Sequence, residues 1–156
     1  MSAAPFDVGL VITRLQAAGT DLRQVQSAAD YAAVRSLQDF PAPCAYVLLG
    51  RDTATQTKTG MSVPGKQTPL QQALEVQFGV VVAARNYREQ RGAQVIDVLR
   101  EVLGQVRSSL LGWTPPVAGG RACQLVTGYL EDYDNATALW IDIWQTQLII
   151  KPEIAA

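Results

Sequence analysis

The chain has 156 residues, of which 48% are hydrophobic and 17% are charged, and this length suits one domain with a hydrophobic core. It contains no histidine, which excludes Ser-His and Cys-His catalysis and every histidine-ligated metal site. The formal net charge of -1 gives no support for a nucleic-acid-binding surface, and no apolar run approaches the roughly 20 residues that a membrane helix needs.

The first fifty residues predict two helices and two strands. In chain order these are a helix over Pro5–Ala18, a strand over Leu22–Gln26, a helix over Ala28–Leu37 and a strand over Cys44–Leu49. Ser27 followed by Asp30 resembles a capping box with Asp in place of Glu, which places the start of the second helix. The continuous apolar run of the second strand, bounded by proline and glycine, predicts that this strand is buried.

The next segment, Arg51–Thr68, is different in kind because it is rich in Thr and Gln and offers little that could pack. Its charges are Arg51, Lys58 and Lys66 against Asp52, a local excess of positive charge. Unstructured connections longer than about 15 residues are uncommon inside compact domains and are often functional or disordered. We therefore predict a mobile hairpin tip with a function. The alternative is a solvated loop that has no function.

Within that segment, Gly60–Gln67 nearly fits the phosphate-binding loop that ends in Gly-Lys-Ser/Thr. Gln67 stands where the hydroxyl must be, and Pro64 removes one of the backbone amides that would cradle phosphate. A strand, not a helix, is predicted to follow. No nucleotide and no other cofactor is therefore predicted.

The stretch from Leu74 to Leu111 predicts one long strand and one long amphipathic helix. The even positions of Leu74–Ala84 are apolar, whereas the odd positions end in small or apolar residues. Apolar residues at helical spacing then predict a helix over Ala93–Leu111, which Gly112 ends. We expect the even face of the strand to pack on the apolar face of this helix.

Two further strands, Cys123–Glu131 and Ala138–Ile150, are predicted with a turn between them. Cys44 and Cys123 both lie in apolar strand-like contexts, which favours buried thiols over a disulfide. Asp142 stands alone between apolar neighbours, and a buried carboxylate needs a partner, for which Arg85 or Arg121 is expected.

Acidic residues cluster around this turn, at Glu131, Asp132, Asp134 and Asp142. Such a cluster could perform acid-base chemistry or bind a divalent cation, but its spacing is not that of a calcium loop. A polar hairpin turn is the favoured interpretation, so no metal site and no catalytic residue is predicted. Trp113, Trp140 and Trp144 could stack a base or sugar, but without a basic groove we expect core or interface packing.

These elements predict an α/β fold of the α+β type in a single domain, residues 1–156. A mixed, largely antiparallel sheet of about five strands is covered by an N-terminal helix, a short helix and the long helix Ala93–Leu111.

The order and spacing of several short sequence segments resemble those of the tail terminator proteins of long-tailed bacteriophages. The resemblance covers roughly Phe6–Lys151 and contains no catalytic signature. The segments on which the resemblance rests are Ala28–Ala33, Ala45–Leu48, Phe78–Asn86, Leu111–Pro116, Gly128–Asp134 and Ala138–Trp140.

The resemblance implies a structural virion protein, not an enzyme, that assembles with itself as a homo-hexameric ring. The ring would cap the tail tube protein, stop its polymerisation and provide the joining surface to the neck or connector protein of the head. The implied location is the head-proximal end of the virion tail, after assembly in the cytoplasm of the host bacterium. The genome would pass through the lumen without specific binding. The alternatives are a tube or neck protein of the same tail and, less favoured, a small enzyme that uses acidic residues.

Two sets of interface residues are predicted. Contact with the tube or lumen is expected at Arg51, Lys58, Lys66, Asp132 and Asp134. The strand faces that hold Gly79, Val81, Ala83, Trp140 and Trp144 should lie against a neighbouring subunit or under a helix.

Overall fold

The computed structural model describes residues 2–55, 64–65, 70–86 and 92–153, with backbone alone at 92–94. In chain order its elements are α1 (Gly9–Ala17), β1 (Gln24–Ser27), α2 (Ala28–Ala33), a 3-10 helix (Leu37–Asp39), β2 (Cys44–Ala54), β3 (Gln72–Arg85), α3 (Gly92–Leu110), β4 (Gln124–Tyr133) and β5 (Thr137–Ile150). The predicted α+β class with one mixed five-stranded sheet is confirmed. Lys58, Lys66 and most of the predicted hairpin tip lie outside the described residues.

The sheet has the strand order β1-β2-β3-β5-β4. β1 pairs with β2 in parallel, and the other three pairings are antiparallel. β3 and β5 each contribute 14 residues and pair from Gln72 with Ile150 to Arg85 with Thr137, so they form the centre of the sheet. β4 and β1 are left as the two edges.

One face of the sheet, here called the helix face, is covered by α1 and α3. The even residues of β3 form a buried cluster with α3, which includes Phe78 on the strand and Leu99 on the helix. Phe6, ahead of α1, stacks on Phe78 with ring centroids 5.8 Å apart. The predicted core is therefore confirmed.

Among the described residues, cover on the opposite face of the sheet lies at one end. Tyr31 of α2, Phe40 and Tyr46 of β2 form an aromatic cluster with ring centroids 5.6–6.1 Å apart. Val81 and Ala83 of β3 are buried beneath this cluster. The fold is thus three layered at this end and two layered at the other.

β2 continues to Ala54, five residues beyond the predicted end at Leu49. Arg51 to Ala54 pair with β3, so the start of the predicted loop at Arg51 is wrong. Gly50 makes this continuation possible, because a Cβ there would lie 2.6 Å from the carbonyl oxygen of Gln77 on β3. The ladder also shifts register at this point, between Leu49 and Arg51.

The predicted turn before β5 is shorter than expected. β4 extends to Tyr133 and β5 begins at Thr137. The carboxylate of Asp134 accepts hydrogen bonds from the backbone N–H groups of Ala136 and Thr137, at 2.8 and 2.7 Å. Asp134 therefore closes the turn locally, as Asp side chains commonly do.

Core truncations test this packing. Phe78→Ala and Leu99→Ala each remove a buried side chain and should lower the free energy of unfolding by about 2–5 kcal/mol. Ile96 lies on the same helix but is 43% exposed, so Ile96→Ala should change it by less than about 0.5 kcal/mol. Urea denaturation measures all three, and parent-like midpoints for both core variants would refute the packing.

Both cysteines are free and buried, as predicted. Burial raises the pKa of the Cys123 thiol from 9.0 to about 11. Between these values the unfolded chain releases its thiol proton while the folded chain keeps it.

Stability should therefore fall as pH rises from 9 to 11, by at most about 1.4 kcal/mol per pH unit from this thiol. Cys123→Ala should show a shallower decline over the same range in denaturant titrations. Parallel declines in variant and parent would contradict the assignment.

Candidate interaction surface at the sheet edge

β4 is an exposed edge strand. It ends the strand order, and no other described strand pairs with its outer side. Nine of its ten residues are exposed, and only Gly128 is half-buried. An edge of this length presents a row of unpaired backbone groups, which is a template for pairing with another chain.

Exposed apolar side chains concentrate on this strand. Nine large apolar side chains are exposed among the described residues, and five belong to β4: Leu125, Val126, Tyr129, Leu130 and Tyr133. Natural edge strands that avoid association usually carry charges, proline or a covering element instead. The composition of β4 therefore favours contact with another protein surface over permanent exposure.

The apolar side chains lie on both faces of β4. Leu130 opposes Trp140 and Leu125 opposes Trp144, so both are on the helix face. Tyr129 opposes Ile141 and lies on the other face. Register shifts at Val126 and Glu131 leave Thr127–Leu130 as the regular stretch between two bulges.

A buried ion pair fixes the strands beside this edge. Asp142 of β5 is fully buried and accepts two hydrogen bonds from the Arg107 guanidinium of α3, at 2.8 and 2.7 Å. The indole N–H of Trp140 donates to the same carboxylate at 2.7 Å. The bond to Asp142 raises the pKa of Arg107. The pair ties α3 to β5 across the helix face.

Gly128 of β4 packs directly over this ion pair. A Cβ at position 128 would overlap the Asp142 carboxylate and lie 3.0 Å from Arg107 Nη2 and Trp140 Nε1. Glycine is therefore required here for close approach and not for an unusual backbone angle. The cluster of Arg107, Asp142, Trp140 and Gly128 sets the position of β4.

The expected partners of Asp142 were wrong. Arg85 donates instead to Thr137 Oγ1 and to the carbonyl oxygens of Leu37 and Gln38, which holds the 3-10 helix against the sheet. Arg121 donates to the side chain of Gln147. Arg107 was not predicted as the partner of Asp142 because the two are 35 residues apart in the sequence. Its spacing in the sequence also placed Arg107 on the polar side of the long helix.

Four predicted subunit-contact residues are covered within the single chain. Gly79, Val81, Ala83 and Trp144 are buried, and Trp140 is half-buried. Val81 and Ala83 pack beneath the α2 side of the sheet, in the cluster that includes Tyr31. Trp144 is enclosed under the helices, and its indole N–H has no hydrogen-bond partner among the described residues. A direct contact of these four with a second subunit remains a prediction.

Three of the five predicted tube-contact residues lie among the described residues, and their contact with a tube remains a prediction. Arg51 is exposed on β2, whereas Asp132 is exposed near the end of β4 and Asp134 is engaged in its turn. Asp132 borders a cleft of about 290 Å³ with Tyr31 and Arg35. Burial and the nearby Glu131 raise the pKa of Tyr31. The acidic end of β4 therefore lies beside the aromatic cluster.

Clusters suited to a metal ion and helices suited to a membrane are absent from the described part of the chain. In it, no group of three or more His, Cys, Asp or Glu residues could hold a metal ion. None of its helices is both long and apolar enough to cross a membrane.

The fold and this edge define an α+β sheet protein with a surface suited to strand contacts. The sequence profile of the phage tail terminator protein family matches residues 1–154, and the chain belongs to this family. It is thus a structural protein of the phage tail. The predicted resemblance is confirmed.

The fold also resembles a chain in the solved structure "Virion of native gene transfer agent (GTA) particle". The two are 14% identical with a TM-score of 0.51, and the match covers 91% of this chain and 92% of that one. A likeness at this identity concerns the fold alone. No curated protein sequence matches the chain.

Removal of the ion pair tests what positions β4. Arg107→Met leaves the Asp142 carboxylate buried without its charge partner and should cost about 2–3 kcal/mol of stability. This is below the 3–5 typical of such losses, because the Arg107 side chain is 37% exposed. Arg100→Met, an exposed position on α3, is the control and should change stability by less than about 0.5 kcal/mol. Equal effects in chemical denaturation would contradict the role of the pair.

Proposed function

We propose that the protein forms a closed homo-hexameric ring that caps the tail tube at its head-proximal end. The ring stops polymerisation of the tube protein and presents the surface that joins the neck or connector protein of the head. The genome passes through the lumen without specific binding. The ring assembles in the cytoplasm of the host bacterium and remains in the virion.

The observation that carries this proposal is the family match over residues 1–154. The exposed apolar edge of β4 supports the oligomeric part, since five large apolar side chains on one strand would gain by burial against a neighbour. A heterologous contact that closes produces a ring, whereas one that does not close produces a filament.

We place the subunit contact around the strand faces named from the sequence. Trp140 pairs with Leu130 of β4 and is half-buried, whereas the other four members of that set are buried. Gly79 lies between Leu48 and Ile143, on the end of the second face that the aromatic cluster does not reach. In this proposal the buried residues Val81, Ala83 and Trp144 support these surfaces from below.

We place the tube contact at the end of the β2–β3 hairpin. Arg51 and the residues up to Ala54 are exposed and paired, so they carry the hairpin outward as an ordered arm. Lys58 and Lys66 follow along the chain and add positive charge. Several copies of this contact in one ring would act together and so strengthen binding to the tube. Asp132 and Asp134 would supply the second contact.

A hairpin replacement tests the proposal. Exchange of residues 56–69 for a short Gly-containing turn keeps the Ala54–Leu74 pair and should spare folding. It should abolish capping, so that tails overgrow or fail to join heads. Tail length and head attachment are measured in electron micrographs of phage that carry the change, with a thermal melt of the purified protein.

The matched control replaces the same residues with an equally long Gly/Ser segment. If chemistry and not length matters, this control should fail to cap as well. Normal tails and infectivity in both variants would remove the hairpin from the function and leave the Asp132–Thr137 turn as the tube contact. Purified protein that grows into long tubes would instead favour a tube protein.

A further inference from the structure

We propose that the outer edge of β4 pairs antiparallel with the outer edge of β1 in a second copy of this chain. The sheet would then continue from subunit to subunit. This inference rests on the proposed ring and names the two surfaces that close it.

β1 is the opposite edge of the same sheet, and no other described strand pairs with its outer side. A groove of about 450 Å³ runs beside it, bordered by Leu15 and Gln16 of α1 and by Leu22 to Gln26. Within the chain, the Gln16 side-chain amide donates to the carbonyl oxygen of Val25 at 3.3 Å. The Gln16 side chain thus occupies the carbonyl oxygen of Val25, which could instead accept a hydrogen bond from the backbone N–H of a neighbouring strand.

The strand directions fit such a pairing. β1 and β2 are parallel, and the three steps from β2 through β3 and β5 to β4 are antiparallel, so β4 runs opposite to β1. Rotation about an axis roughly along the strands preserves these directions in the next subunit. β4 of one copy therefore meets β1 of the next in antiparallel orientation. The contact joins two different surfaces, as ring closure requires.

The two edges also match in length. β1 has four residues, Gln24–Ser27. The regular stretch of β4 between its two bulges is Thr127–Leu130, which also has four. Bulges end regular pairing on both sides, so they would limit the contact to this stretch. Facing residues share one side of the sheet, so Val25 on the helix face lies opposite Gly128, and Gln24 lies opposite Tyr129.

Charge and polarity are complementary as well. The charged residues of β4 are Glu131 and Asp132, both acidic. Arg23 is the charged residue among those that border the β1 groove. Leu130 on β4 would meet apolar side chains of the groove, including Leu22. These features favour a second copy as the occupant, because one chain carries both halves of the contact.

Disulfide trapping tests the pairing. Facing residues of paired strands share one side of the sheet, and Gln24 and Tyr129 both lie on the side opposite the helix face. Both are exposed, so Gln24→Cys with Tyr129→Cys should form bonds between subunits on mild oxidation. Denaturing gels without reductant should show a ladder of covalent multimers. Thr127→Cys combined with Gln24→Cys covers a register shifted by about two residues. Native Cys44 and Cys123 are buried and stay in place.

The controls are the single variants and the pair Gln24→Cys with Glu75→Cys, where Glu75 is exposed on the interior strand β3. None of these should give a ladder. A ladder with this control pair as strong as with the β4 series would mean random collision and would overturn the proposal.

A charge introduced on the β4 edge gives an independent test of the pairing. Leu130→Lys should weaken assembly at least about tenfold, the factor that corresponds to 1.4 kcal/mol, with an unchanged circular dichroism spectrum. Ile96→Lys is the matched control, since Ile96 is 43% exposed near the start of α3 and belongs to neither edge strand; it should assemble like the parent.

The outcomes separate this inference from the ring itself. A parent ring with no ladder in any β4 pair and normal assembly of Leu130→Lys would overturn the edge pairing and leave the ring. A Leu130→Lys ring that forms normally but no longer caps or joins tails would assign β4 to another tail protein, which also overturns it. A parent that is monomeric even on tails would defeat the proposed function.

Discussion

Fourteen consecutive residues of β3 pair with fourteen of β5, and each layer of the fold is placed relative to this ladder. On the helix face, the ladder supplies Val76, Phe78 and Val80, which are fully buried against the helices. On the other face it supplies Val81 and Ile141, which the aromatic cluster covers. Because side chains alternate along a strand, a slip by one residue would exchange these two sets. The register of one ladder therefore fixes both hydrophobic clusters.

The same ladder places one charge inside the protein. Asp142 faces the helices, where an unpaired carboxylate would be very costly. The Asp142 carboxylate is accommodated by hydrogen bonds from Arg107 and Trp140 and by the space that Gly128 leaves because it has no side chain. Hydrophobic replacements often match buried ion pairs in stability, so the pair is better understood as a means of orientation. It aligns α3, β5 and β4, and β4 carries the exposed edge.

Local patterns predicted the elements of this fold because each reports on its own stretch of chain. Alternation identified β3, helical spacing identified α3, and the Ser27–Asp30 box marked the start of α2, where Ser27 N–H donates to Asp30. The extension of β2 past Leu49 was not predicted, because it depends on the approach of Gln77 to Gly50 across the sheet. The partner of Asp142 was missed for the same reason. Which strand becomes an edge also depends on topology, so the exposed side of β4 was not foreseen.

In the proposed assembly, exposed strand surface closes the chain into a finite ring. Sedimentation equilibrium of the purified protein, over a wide range of concentrations, measures the mass of what forms. The proposed ring predicts monomer and one closed species of six subunits, with no larger assemblies at the highest concentration. A monomer throughout, or a mass that grows without limit, would contradict it.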